Sequence, residues 1–107
     1  MSDKYKLNGH KVEPVEDLLD WATWFETANR TVKRSQLETG VTVSTVFLGL
    51  DHSFGMTGHP ILFETMVFGG PLDQEQARYS TWEEAEKGHA EMLERVSGAK
   101  EPGHDDE

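Results

Sequence analysis

Two apolar runs constrain the fold more than anything else in this chain. Val41-Thr42-Val43-Ser44-Thr45-Val46-Phe47-Leu48-Gly49-Leu50 is rich in β-branched residues, and its second half is apolar on both alternating sets of positions. Ile61-Leu62-Phe63-Glu64-Thr65-Met66-Val67-Phe68 follows after a polar loop. Runs this short and apolar read as strands with little solvent on either face. The second holds a carboxylate, Glu64. Placed among apolar neighbours, a carboxylate must find a donor, a cation or a metal, or take up a proton. Glu64 is therefore either a structural anchor or part of a site.

If the two runs form a hairpin across Asp51–Pro60, one register pairs Leu50 with Leu62, Leu48 with Glu64 and Val46 with Met66. It also sets Asp51 opposite Ile61 and His52 opposite Pro60. A slip of one residue would turn every side chain to the other face.

The flanks supply the remaining elements. Asn8-Gly9 between Lys4–Leu7 and His10–Glu13 is a hairpin signal, with a type I′ turn expected. Pro14 suits the first position of a helix, and Val15, Leu18, Leu19, Ala22, Phe25 and Ala28 follow at helical spacing. That predicts a helix over about 14–29, with Trp21 and Trp24 widening its stripe and one of them a candidate for the surface. Thr31–Gln36 suits an exposed edge strand, and Leu37–Gly40 a turn. Gly69-Gly70-Pro71 stops the Glu64 strand, and 71–78 reads as a polar connection. Ser80-Thr81-Trp82-Glu83 is a capping box with Ser80 as cap, opening a second helix to about 97 with the stripe Trp82, Ala85, His89, Met92, Leu93 and Val96.

These signals predict an α+β fold: a small, mostly antiparallel sheet of about three to five strands with two helices packed on one face. Residues 1–98 form the single domain and 99–107 a disordered acidic tail. Trp82, His89, Leu93, Phe25 and Leu18 are expected to be buried.

The chain has 20 acidic and 10 basic residues among 107, a formal charge of −10, and no cysteine. Thiol chemistry and Cys-ligated zinc are excluded. Direct nucleic-acid binding is disfavoured because the charge repels phosphate. No stretch is long and apolar enough to span a bilayer, and Met1–Lys4 leads into no signal-peptide core. No membrane partner and a cytoplasmic location are the expectations. Arg30, Lys33 and Arg34 form the one dense basic cluster, read as an edge-strand gatekeeper or as a source of a cation for Glu64.

Asp51 and His52 end the central strand at a loop, where a rigid scaffold meets open backbone. His89 shares the apolar face of the second helix, beside Gly88. A satisfied core histidine is the commoner outcome there, and an acid–base role requires that it meet Glu64. The candidate ligand-binding set is thus Asp51, His52, Glu64 and His89. Asp51, His52, His59 and Glu64 are weak metal candidates at spacings that match no HExxH motif. Neither GxSxG nor a phosphate-cradling glycine loop is present, and no cofactor is expected.

Val43–His52 (VSTVFLGLDH), Leu62–Gly70 (LFETMVFGG) and Tyr79–His89 (YSTWEEAEKGH), with the Trp21–Phe25 segment, resemble segments of a group of small phage and prophage proteins across about residues 4–96. The resemblance implies a phage setting and action inside a bacterial host, and carries over no catalytic residue. The expected function is a non-enzymatic phage accessory protein that binds a host protein or sequesters a small molecule, with self-association as one expectation. The alternatives are a small metal-dependent hydrolase using Asp51, His52, Glu64 and His89, and an acidic nucleic-acid mimic.

Overall fold

A computed structural model describes residues 3–53 and 58–98. The predicted tail 99–107 and the centre of the 51–60 loop lie outside these described residues. The elements run β1 (Tyr5–Asn8), β2 (Lys11–Pro14), α1 (Leu18–Thr27), β3 (Thr31–Gln36), β4 (Thr42–Phe47), β5 (Phe63–Phe68), β6 (Gln76–Tyr79) and α2 (Trp82–Gly98). β3 to β6 form an antiparallel sheet in sequence order, and β1–β2 form a separate hairpin. The fold is α+β, as expected.

The hairpin joins the sheet through the end of β4. Tyr5 N–H donates to the Gly49 carbonyl and Asp51 N–H to the Asp3 carbonyl, each at 2.9 Å. Its loop is Gly9-His10, because Asn8 already pairs with Lys11. Of that pair only Gly9 has positive φ, at 64°. This matches a type II′ turn with glycine first, not the type I′ turn read from Asn8-Gly9.

β4 and β5 pair two residues out of the expected register: Val46 opposes Glu64 and Ser44 opposes Met66. A shift of two preserves the faces, so the sorting of side chains survives. The shift arises where β4 ends. Gly49, at φ 80°, turns the chain away from β5 towards the hairpin, and a side chain there would strike Phe25.

On one face of the sheet Val43, Thr45, Phe47, Phe63, Thr65 and Val67 are buried. α2 covers them with Ala85, Gly88, His89, Met92 and Val96. Trp24 of α1 and Leu7 and Val12 of the hairpin join the same core around Phe47, Phe63 and Ala85. Trp24 meets the Phe47 ring edge-on at 5.8 Å. The other face carries Ser44, Val46, Glu64 and Met66, half-buried, and Phe68, which is 45% exposed. Among the described residues no helix or strand lies over it.

Several local expectations are corrected. α1 starts at Leu18, not at 14, because Pro14 is held in β2 opposite Tyr5 and Asp17 caps the helix by accepting from the N–H groups of Leu19 and Asp20. Leu18 is 59% and Leu19 76% exposed. The inner face of α1 is taken by both tryptophans, each half-buried, with Phe25 beside them. Trp21 earns that place with its indole N–H, which donates to the carbonyls of Tyr5 and Gly49. Of the residues expected inside, His89 is buried, Phe25, Trp82 and Leu93 are half-buried, and Leu18 is outside.

At the other helix the cap is Thr81, one residue later than expected. Its hydroxyl accepts from Glu84 N–H at 3.1 Å, and the Glu84 carboxylate accepts from the N–H groups of Ser80 and Thr81. The string STWEE contains the box in both frames, and the helix uses the second. β6 was read as connection because Gln76 and Arg78 are polar; they sit on an edge strand whose alternate residues, Ala77 and Tyr79, pack inward.

Candidate functional site

Each candidate residue is fixed by a different part of the fold. Asp51 lies just past β4, and its carboxylate accepts from the N–H groups of Ser53 at 2.8 Å and Ile61 at 2.9 Å. It therefore pins both ends of the loop, and the expected neighbourhood of Asp51 and Ile61 is realised by a side chain instead of a strand pair. Burial pulls its pKa upward. The N–H groups of Ile61 and Ser53, the Ser53 side chain and the positive potential of His52 outweigh that and leave it lowered. His52 makes an Nδ1 contact with the Leu50 carbonyl at 2.9 Å. His59 is exposed.

Glu64 is not trapped inside the sheet. It projects from the uncovered face, where its side chain retains 16% exposure, and its Oε2 accepts from Arg78 Nε at 2.9 Å. Arg78 is directly opposite on β6. The cation thus comes from the strand that sequence reading missed, not from the Arg30–Arg34 cluster. Arg30 instead lies over the Phe25 ring at 3.9 Å and donates to the Phe47 carbonyl.

His89 is on the opposite side, between α2 and the sheet, 1% exposed. Its Nε2 meets Ser35 Oγ at 2.9 Å and its Nδ1 meets Thr45 Oγ1 at 2.7 Å, with Thr45 in turn bonded to Thr65. A hydroxyl serves as donor or acceptor, so a neutral imidazole of either tautomer is satisfied at both nitrogens. Burial first, and then the charge of Lys33, lower its pKa. The signal for this network was in the sequence: Ser35, Thr45 and Thr65 are hydroxyl residues at inward positions of strands that are otherwise apolar there.

The sheet therefore stands between Glu64 and His89, and the carboxylate–imidazole pair that acid–base chemistry requires is not formed. Asp51 and His52 are spent on loop hydrogen bonds at the end of β4. No group of three or more His, Asp or Glu among the described residues is arranged to hold a metal ion. The four candidates do not line one pocket.

What the surface offers is elsewhere. A cleft of about 780 Å³ lies between the β3–β4 turn, the β5–β6 turn and the end of α2, walled by Leu37, Val41, Pro71 and Val96 with Gly40 and Gly70 open in its floor. Leu18 and Leu19 stand out from α1 beside Glu16, Asp17 and Asp20. No described helix is long and apolar enough to cross a membrane. No family model matches the chain, and no curated protein or solved structure matches it.

Proposed function

We propose that this chain is a non-enzymatic accessory protein that binds a host protein, in the phage setting its sequence resemblance implies. The observation that carries the reading is the exposed pair Leu18–Leu19, 59% and 76% accessible on a helix whose last turn holds no basic residue. Contiguous exposed apolar side chains with a polar surround mark contact surfaces more often than isolated ones do. Here the surround is acidic: Glu16, Asp17, Asp20 and Glu26. The matching partner surface is an apolar recess edged by Lys or Arg. Internal hydrogen bonding of Asp51, Glu64 and His89 supports binding over hydrolysis.

The test is affinity capture from host lysate with the wild-type chain and with Leu18→Ser/Leu19→Ser, which changes two solvated positions. A host protein retained by the wild type, lost with the variant and released by added salt supports the proposal. Equal recovery with both chains, or recovery of nothing, refutes it.

A second reading, sequestration of a small molecule, is favoured by the cleft at the end of α2, whose volume lies within the range of ligand pockets. Mass spectrometry of small molecules released on denaturing the purified protein tests it. A stoichiometric ligand whose recovery falls on Val41→Trp supports it, and an empty protein opposes it.

A further inference from the structure

We infer that the uncovered face of the four-stranded sheet is the interface of a symmetric homodimer, with a second copy packed sheet against sheet. A sheet face left to solvent is normally polar along its centre. This one carries Val46 and Met66 on the two inner strands and ends in Phe68, which is 45% exposed. Two sheets meeting face to face at about 10 Å bury such side chains as a sandwich core.

Charge selects the second copy as occupant. The chain carries −10 overall, and its two helices present carboxylates to solvent, among them Glu83, Glu84, Glu86, Glu91 and Glu94 of α2. A strongly basic partner would be drawn to the helices. The open face has one carboxylate among the six residues of β5, Glu64, and Arg78 already neutralises it. Arg34, which pairs with Ser44 on that face, adds a further positive charge. It is the surface on which two copies of so acidic a protein approach with least repulsion. It also presents to its own image the same flat, apolar and locally neutral character.

Size sets the strength. Four strands about 4.8 Å apart and six residues at about 3.3 Å span a face of about 400 Å² per copy, or about 800 Å² for the pair. A stable complex buries about 1,200 Å² or more in total. The dimer is therefore weak and reversible, and because apolar contact works against like net charge, added salt tightens it.

Sedimentation equilibrium of the full chain over a wide concentration range, at low and raised salt, is the test. The expected result is a reversible monomer–dimer equilibrium whose dissociation constant falls with salt and rises at least tenfold in Phe68→Glu, while Leu18→Ser/Leu19→Ser behaves as wild type. That last arm separates this interface from the proposed host-binding helix. The chain has no cysteine, so Ser44→Cys gives a second, independent reading: it oxidises to a covalent dimer, and Glu86→Cys on the exposed side of α2 does not. A chain that stays monomeric at every salt, a dimer indifferent to Phe68→Glu, or equal cross-linking at both cysteine positions overturns the inference.

Discussion

Replacing Gly88 by alanine tests how α2 sits on the sheet. By local propensity the change should help, since alanine in a helix interior is favoured over glycine by ~1 kcal/mol. The structure reverses the sign. Gly88 is buried in mid-helix, and a methyl built on it falls inside the van der Waals envelope of the Tyr79 ring, against Cζ, Cε1 and the hydroxyl. The ring is rigid, and Tyr79 is held at the backbone by Leu62 N–H. Either α2 lifts or the ring swings out of the cluster formed by Phe47, Phe63 and Ala85. Overpacking of this kind costs ~1–3 kcal/mol. Set against the propensity gain, Gly88→Ala should destabilise the fold by about 1 kcal/mol, lowering Tm by roughly 4–8 °C for a domain of this size. Trimming the ring removes the obstacle. In a Tyr79→Ala background the same alanine should stabilise, so thermal and urea unfolding of the four proteins in a double-mutant cycle should give a coupling of about 2 kcal/mol. A higher Tm for Gly88→Ala in the wild-type background would refute the close approach of helix and ring.

Three further outcomes are expected. His89 has a lowered pKa, so below about pH 6.5 the unfolded chain takes up a proton that the folded chain resists; its share of stability is complete above that pH and is lost as the pH falls, with a limiting slope of ~1.4 kcal/mol per unit. Urea midpoints between neutral and mildly acid pH should therefore slope less in His89→Gln than in wild type, and identical slopes would contradict the buried neutral imidazole. Thr81→Ala should cost about 1 kcal/mol and Ser80→Ala little, read by thermal melts, because the Thr81 hydroxyl holds Glu84 N–H; the reverse order would restore the cap to Ser80. Breaking Glu64–Arg78 by Arg78→Gln should cost under about 1 kcal/mol, since Arg78 is 44% exposed and the pair is screened; a loss of several kcal/mol in urea titration would return Glu64 to a buried setting.

The fold class was legible because periodicity reports which side chains share a face. β4 and β5 announced themselves through alternating valine, threonine and phenylalanine, and α2 through its stripe and the S-T-W-E-E cap region. Offsets of one residue, as at Thr81 and at Gly9-His10, were invisible because both frames contain suitable residues. The candidate site was read less well. Glu64 and His89 each lie in apolar surroundings in sequence, yet alternation puts Glu64 on the face opposite Thr65, and His89 belongs with Thr65.

By itself the sequence determined the strands, the helices, the buried stripe of α2 and the acidity of the surface, since these follow from local spacing and from side-chain chemistry. Only the tertiary structure decided that Arg78 reaches Glu64, that Ser35 and Thr45 hold His89, that Leu18 faces solvent and that one sheet face stays uncovered. Those outcomes depend on which layers stack on which, and that is set by contacts between residues far apart in the chain, where no local pattern carries the information.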